Sequence, residues 1–442
     1  MRLTCTPGNP LRGSVRLPGD KSLSHRSALL AALAEGESVI SNFLVAGVTQ
    51  VLLNGLTSLG VEWQLEGSVL QVRGRGFASL RSPEQPIHCG NSATSLRLLA
   101  GALAAAGVPA VLDGSAGLRL RPMGRIVEPL HAMGVQIEAA TGGTPPLRLL
   151  GRPAAEKLLP LQYTLPVASA QVKSCLLLAA LSADGTTRLQ EPARSRDHTE
   201  RMLTGMGVQV SSRSWKEGMR VELTPPGPLV LQPLSLTLPG DFSSAAFLIV
   251  AALITPGSEL TLEEVGLNPT RTGLLTTLQE MGADITVEAC PSRYGEPLGH
   301  LHIRSSPLHG VSISGGRVVE MIDEFPAFAV AAACAEGITQ VREAGELRYK
   351  ESDRIRSVCA QLREIGVDIQ EQADGFSVRG GRPISGGQVS AGGDHRLAMA
   401  LAVAGLAASS RLEVRGAEII AESFPSFTGI LRDLGAEIEI HG

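Results

Sequence analysis

Six times along the chain, a stretch with helically spaced apolar residues ends in an apolar residue, Gly, and Val or Ala. An alternating apolar–polar segment follows each time. The sites are Leu59-Gly60-Val61, Met133-Gly134-Val135, Met206-Gly207-Val208, Met281-Gly282-Ala283, Ile365-Gly366-Val367 and Leu434-Gly435-Ala436. Their glycines stand 69 to 84 residues apart, and a period held through the whole chain describes one structural unit built six times. Upstream of each site lies an Ala/Leu-rich run: Ala28–Ala34, Leu98–Ala106, Leu176–Ala183, Ala245–Ile254, Phe328–Ala335 and Leu397–Ala408. These runs are apolar on nearly every face and predict buried helices. The later helix of each unit, as in Arg271–Met281 or Ile355–Ile365, mixes charged and apolar positions and reads as amphipathic. Each unit therefore predicts strand, buried helix, strand, amphipathic helix, strand, with sheets packed around inner helices.

The start of each buried helix carries a polar motif. In order these are Asp20-Lys21-Ser22-Leu23-Ser24-His25-Arg26, Gly90-Asn91-Ser92-Ala93-Thr94-Ser95-Leu96-Arg97 and Ser169-Ala170-Gln171-Val172-Lys173-Ser174. Then come Gly240-Asp241-Phe242-Ser243-Ser244, Asp323-Glu324-Phe325-Pro326 and Gly392-Gly393-Asp394-His395-Arg396. Ser, Asn and Asp here are expected N-caps. Capping does not account for Lys21, Arg26, Lys173 and Arg396, because the helix dipole disfavours cations at that end. A bound anion satisfies both the cations and the free N–H groups. If the inner helices of a domain run parallel, their starts share one face, and two facing domains enclose an anion-selective cleft. Each helix end contributes about 0.3–1 kcal/mol and each charge-assisted hydrogen bond about 1.5–3 kcal/mol. That suffices for a small ligand with two or three negative groups.

The fifth motif differs, because Asp323 brings a carboxylate without a cation. It reads either as an N-cap ahead of Pro326, a residue suited to the first helical turn, or as a base. Among cations a carboxyl group stays ionised at neutral pH and can take a proton from an alcohol. Two more charged clusters have two readings each. Arg119, Arg121 and Arg125 precede an amphipathic helix, either as a solvated helix start or as anion ligands. The segment Leu347–Arg354 opens a helix through Ser352, and Glu351 and Arg354 there suit an ordinary i,i+3 ion pair.

A chain of 442 residues exceeds one comfortable core, so two domains of three units each are expected. Net charge is −4, and nothing global points to nucleic acid or a membrane surface. Apolar content is 43% with only 3% aromatic residues and 50 glycines, which suggests closely approaching helices and sheets. The six cysteines form no CxxC pair, as in a reduced, cytoplasmic protein. The first ten residues show no signal pattern, and the longest apolar run, Ala245–Ile254, is about half of the ~20 residues a membrane span needs. No GxxxxGK[ST] or strand-associated GxGxxG motif supports nucleotide binding. His300 and His302 face one side of a strand but have no third ligand nearby, so they read as a surface pair and no metal or other cofactor is expected.

The segments Pro18–Arg26, Gly90–Thr94, Arg121-Pro122, Lys350–Arg354 and Asp394–Arg396 closely resemble the 5-enolpyruvylshikimate-3-phosphate synthase family, over essentially the whole chain. The resemblance implies an α/β (α+β) fold, a two-domain inside-out α/β barrel of six βαβαββ units, three per domain. It implies a domain at 21–236 that mainly binds shikimate 3-phosphate. Residues 1–20 plus 237–442 would form the other, with phosphoenolpyruvate and acid/base residues. The implied reaction is transfer of the enolpyruvyl group of phosphoenolpyruvate to the 5-hydroxyl of shikimate 3-phosphate by addition and elimination. The protein would be a cytoplasmic monomer whose partners are these two small molecules.

Carried over by position, Lys21, Ser22, Arg26, Ser169, Ala170, Gln171, Arg196, Asp323 and Lys350 match the shikimate 3-phosphate ligands. Lys21, Ala93, Arg121, Gln171, Arg354 and Arg396 match the phosphoenolpyruvate site. Asp323 and Glu351, assisted by Lys21, are the implied proton-transfer groups. Ala170 replaces a second serine found in many members, and Glu422 stands where some carry a lysine, so Glu422 receives no role. Ala93 stands where glyphosate-sensitive members carry glycine, and with Ser169–Lys173 and Arg196–Thr199 it resembles the glyphosate-insensitive class. Two rivals remain. The enolpyruvyl transferase of UDP-N-acetylglucosamine usually has Lys-Asn near the N-terminus and a loop cysteine. Here Ser22 follows Lys21, and residues 113–121 hold no cysteine. A non-catalytic anion-binding scaffold fits poorly with an intact Asp323, Lys350, Glu351 and Arg354.

Overall fold

A computed structural model describes residues 1–153 and 156–441. The chain divides into two compact units. The first comprises Gly19–Leu238 with Arg293–Glu296, and the second Met1–Pro18, Pro239–Ser292 and the chain from Pro297 on. The first holds helices α1 (Lys21–Leu33), α2 (Gly47–Ser58), α3 (Ala93–Ala106), α4 (Gly124–Ala132), α5 (Ala170–Ala180) and α6 (His198–Gly205). The second holds α7 (Phe242–Ile254), α8 (Gly273–Glu280), α9 (Gly316–Glu320), α10 (Phe325–Cys334), α11 (Arg354–Glu364), α12 (His395–Leu406) and α13 (Phe427–Asp433).

Each unit has its own core around three inner helices, α1, α3 and α5 in the first and α7, α10 and α12 in the second. Nearly every residue of these helices is buried, as their all-round apolar pattern requires. Fully burying one Leu or Phe stabilises by about 1.5–3 kcal/mol, while the many alanines let the helices approach. Gly101 in α3 marks the tightest approach. A Cβ there would lie 2.2 Å from the Cys175 carbonyl oxygen of α5, which explains a glycine that costs a helix interior about 1 kcal/mol.

Six four-stranded sheets surround these cores with one repeated topology. In the third repeat, Gln162–Thr164 runs parallel to Thr187–Glu191, which pairs antiparallel with Gly218–Thr224, and Gln209–Trp215 completes the sheet as a hairpin. Three sheets are closed by distant chain. Ser235–Thr237 lies parallel to Glu35–Ser41, with Ser235 opposite Val39. Arg12–Arg16 lies parallel to the strand Glu259–Gly266, and Arg2–Thr6 sits antiparallel between Leu412–Arg415 and Glu437–His441.

The sixfold glycine has a local cause. Gly60, Gly134, Gly207, Gly282, Gly366 and Gly435 follow α2, α4, α6, α8, α11 and α13, all with φ between +82° and +109°. The N–H of the next apolar residue reaches back across the turn, as from Val61 to the Leu56 carbonyl at 3.0 Å and from Ala436 to Leu431 at 2.9 Å. This is the Schellman ending, in which glycine takes the left-handed position and an apolar residue packs beyond it.

One boundary differs from expectation. α11 starts at Arg354, capped by Asp353, whose carboxylate accepts the Arg356 N–H at 3.1 Å. Lys350 and Glu351 therefore lie in the turn before the helix, and their spacing to Arg354 is not helical. All six cysteines are free, and burial pushes the thiols of Cys5, Cys89 and Cys175 up to about 12. Among the described residues no helix is long and apolar enough to cross a membrane.

Candidate active site

In the first unit the starts of α1, α3 and α5 meet. Arg26 Nη2 donates to Ser174 Oγ at 2.9 Å, joining α1 to α5, and Gln171 Nε2 donates to Thr94 Oγ1 at 3.0 Å, joining α5 to α3. The three inner helices therefore present their N-termini together. Each has a side-chain cap: Asp20 accepts the Leu23 N–H at 2.9 Å, Ser92 the Ser95 N–H at 3.1 Å and Ser169 the Val172 N–H at 3.4 Å.

Around these ends stand the residues expected from the sequence. Lys21 opens α1, Ala93 opens α3 with 2% exposure, and Ala170 opens α5. Ser22 Oγ accepts from Arg196 Nη1 at 3.4 Å. Arg26 is buried and also donates to Thr199 Oγ1 at 2.8 Å and to the Ser22 carbonyl at 3.0 Å. Gln171 Oε1 accepts from Arg97 Nη1 at 2.6 Å, and Arg97 Nη2 holds the Pro122 carbonyl at 3.1 Å, fixing the loop that carries Arg121. Arg119, by contrast, pairs with Asp113 at 2.9 Å. That bond holds the Asp113 carboxyl below its ordinary range.

Lys173 corrects an expectation. It is only 1% exposed, and its Nζ lies 3.0 Å from Glu191 and 2.8 Å from Glu200. Two positions beyond Gln171 on a helix is a rotation of about 200°, so Lys173 points inward and its charge is met by carboxylates. Burial pulls its pKa down, but Glu200 and Glu191 outweigh that and hold it above the ordinary value.

In the second unit the starts of α7, α10 and α12 are joined in the same way. Ser243 Oγ donates to Glu324, linking α7 to α10, and Arg396 Nη1 donates to the Asp323 carbonyl at 3.0 Å, linking α12 to the turn before α10. Asp241 caps α7 through the Ser243 N–H at 2.8 Å and Asp394 caps α12 through the Arg396 N–H at 2.9 Å. α10 alone among the six inner helices lacks a side-chain cap, with Glu324 at the N-cap position and Pro326 in its first turn.

Asp323 is thus not the cap. Its carboxylate, 17% exposed, lies 3.4 Å from Arg354 Nη1, 3.7 Å from Lys350 Nζ and 3.7 Å from Arg396 Nη2. Glu351 lies 2.5 Å from Arg354 Nη2. Arg354, 1% exposed, is gripped by Asp394 at 2.8 and 3.3 Å. Burial alone would lower the Arg354 pKa, but Asp394, Glu351 and Asp323 raise it on balance. In turn Arg354 brings the Asp394 carboxyl below its ordinary value against the opposing effect of burial.

The histidine pair lies within its sheet. His300 Nδ1 accepts the Glu264 N–H at 3.4 Å and His302 meets Thr261 at 3.1 Å. Among the described residues one other group has metal-ligand chemistry, Asp197, His198 and Glu296, with ligating atoms within 4.8 Å. Its ligating atoms already pair with protein groups: Arg201 grips Asp197 at 2.8 and 3.0 Å, and His198 Nδ1 lies 2.8 Å from Glu296, while His198 Nε2 is buried without a hydrogen-bond partner. Sequence reasoning gave no role to Thr94, Arg97 and Thr199, which stood inside quoted segments, and missed Glu191 and Glu200. For Glu191 and Glu200 no local signal exists, since their partner Lys173 lies 18 or more residues away.

The chemistry divides accordingly. The first unit offers helix ends, Lys21, Arg26, Arg121 and Arg196, which suit anionic groups. The second offers a carboxylate flanked by three cations and a second carboxylate, Glu351, close by.

A family model described as EPSP synthase (3-phosphoshikimate 1-carboxyvinyltransferase) matches residues 5–431. A 3-phosphoshikimate 1-carboxyvinyltransferase from Methylococcus capsulatus is 45% identical over 440 residues, covering 99% of this chain and 98% of the relative. One from Halorhodospira halophila is 47% identical over 438 residues, covering 99% and 96%. Among solved structures, EPSP synthase from Acinetobacter baumannii superposes with a TM-score of 0.87 at 39% identity over the full length of both chains. The enolpyruvyl transferase NikO from Streptomyces tendae shares the fold, with a TM-score of 0.79 at 21% identity over 99% of this chain and 98% of that one.

Proposed function

The chain belongs to the EPSP synthase family, and from that premise we propose which of its residues carry each part of the reaction. The protein is an enolpyruvyl transferase of the shikimate pathway to aromatic amino acids. It moves the enolpyruvyl group of phosphoenolpyruvate to the 5-hydroxyl of shikimate 3-phosphate, yielding 5-enolpyruvylshikimate 3-phosphate and phosphate.

Shikimate 3-phosphate is held by Lys21, Ser22, Arg26, Ser169, Ala170, Gln171 and Arg196 of the first unit and by Asp323 and Lys350 of the second. Phosphoenolpyruvate is held by Lys21, Ala93, Arg121 and Gln171 and by Arg354 and Arg396. Asp323 takes the proton of the 5-hydroxyl as its oxygen adds to C2 of phosphoenolpyruvate. Glu351, in its protonated form once the substrates are bound, delivers that proton to C3, and Lys21 assists. Glu351 then takes a proton back from C3 as the C2–O bond to phosphate breaks. Phosphate leaves with the proton held by Asp323, restoring the double bond in the product. The observation that carries these roles is the position of Asp323, within 3.7 Å of three cations at the single inner-helix start without a side-chain cap. Such surroundings favour the charged carboxylate, the form a general base requires.

The enzyme acts as a cytoplasmic monomer and belongs to the glyphosate-insensitive class. The support for the latter is buried Ala93, whose methyl group crowds an inhibitor longer than phosphoenolpyruvate. The experiment for the acceptor measures phosphate release from phosphoenolpyruvate with shikimate 3-phosphate or UDP-N-acetylglucosamine. Release with the first alone is expected. Release only with the second would overturn the assignment, and release with neither would point to a non-catalytic anion-binding protein.

A further inference from the structure

The loop of residues 192–197 in the first unit is partly or fully exposed at every position except Ser195. Ser195 is held at three points. Its N–H donates to Glu191 Oε1 at 3.1 Å, its hydroxyl donates to Glu191 Oε2 at 2.6 Å, and its carbonyl accepts from Lys173 Nζ at 3.3 Å. Lys173 in turn pairs with Glu191 at 3.0 Å and Glu200 at 2.8 Å, and all three side chains are buried. The next residue is Arg196, and three residues beyond that Thr199 receives Arg26 Nε at 2.8 Å.

As a source of stability this ion cluster is a poor choice, because apolar groups of the same volume often do as well or better than buried ion pairs. Its directional bonds instead determine where one loop residue sits, and the neighbour of that residue carries the guanidinium. We propose that Lys173, Glu191 and Ser195 form a positioning device that sets Arg196 for the phosphate group of shikimate 3-phosphate. This rests on the reading of Arg196 as a shikimate 3-phosphate ligand. With Ser195 free to rotate, Arg196 would sample many poses and part of its contribution to binding would be spent on ordering it. The three groups touch no substrate and act through Arg196 alone.

The test is a double-mutant cycle on the full-length enzyme, with shikimate 3-phosphate affinity measured by calorimetry alongside steady-state kinetics. Ser195→Ala removes one bond to a charged acceptor and should weaken shikimate 3-phosphate binding roughly tenfold, with KM for phosphoenolpyruvate unchanged within about twofold. Glu191→Gln keeps an acceptor for the Ser195 N–H and should act in the same direction, while Ser195→Thr, which retains the hydroxyl, should restore affinity. Arg196→Ala should weaken binding itself, and adding Ser195→Ala to it should cost little more. Overturning outcomes are distinct. If Arg196→Ala weakens binding but Ser195→Ala and Glu191→Gln lower only the melting temperature, the positioning role is wrong and the ligand reading stands. Fully additive effects of Ser195→Ala and Arg196→Ala would likewise overturn the positioning role and leave the ligand reading standing. If Arg196→Ala leaves binding intact in an active enzyme, the ligand reading falls and the positioning role falls with it.

Discussion

A carboxylate within 3.7 Å of three cations is held in its charged form more firmly than one in water, and this governs what Asp323 can do. The same surroundings explain why Arg354 is a fixed cation: Asp394 and Glu351 neutralise a guanidinium that burial would otherwise make costly. For single residues the sequence was informative about identity and silent about partners. It singled out Asp323 but left open a cap or a base, because a residue before a Pro-containing first turn satisfies both patterns. The distances, together with Glu324 occupying the N-cap position, decide against the cap. Ala93 offers a second test at one side chain. Removing its methyl group in Ala93→Gly should lower the glyphosate concentration that halves activity by at least an order of magnitude (about tenfold or more, since one methylene discriminates by roughly 10–200-fold). Tight inhibition of the parent enzyme would reject the proposed insensitive class, and an unchanged inhibition curve in Ala93→Gly would show that the Ala93 methyl group is not its cause.

Among the elements, the inner helices carry the most information per residue. Their starts had to be polar for capping and their bodies apolar for burial, so both ends of the pattern were readable. The inward turn of Lys173 was not, because a cation two positions past Gln171 looks the same in sequence whether it faces an anion or a buried carboxylate pair. α1 also contains a titrating group. His25 Nδ1 donates to the Lys21 carbonyl at 2.8 Å, and burial, reinforced by the nearby Lys21 and Arg26 charges, pulls its pKa to about 4. An unfolded chain has His near 6.5, so between those values the unfolded state binds the extra proton. Stability from this group is full above pH ~6.5 and declines as pH falls toward ~4, by about 3 kcal/mol in all. Denaturant unfolding of the first unit between pH 7.5 and 4 should show that decline, and His25→Gln should flatten it. An equal slope in the variant, or an imidazole that titrates near 6.5 by NMR, would contradict the burial argument.

Across the whole molecule one unit is used six times, and the glycine beat that marks it follows from the left-handed Schellman position after six amphipathic helices. That is why the architecture was legible: a backbone conformation that only glycine adopts cheaply leaves a mark in every copy. What the beat did not reveal is how the sheets are completed. The strands Ser235–Thr237 and Arg12–Arg16 join sheets whose other members lie elsewhere in the chain, and such pairing has no periodic signature. Repetition also gives departures their meaning. Five inner helices carry a side-chain cap and the sixth, α10, carries Asp323 beside its start instead. If this departure supplies the base, the decisive experiment is to measure turnover and shikimate 3-phosphate affinity of Asp323→Asn. Turnover should fall by roughly 10²–10⁴-fold, the usual contribution of a positioned base, with shikimate 3-phosphate still bound about as tightly as by the parent enzyme. Near-normal turnover in a folded Asp323→Asn enzyme would show that the base lies elsewhere.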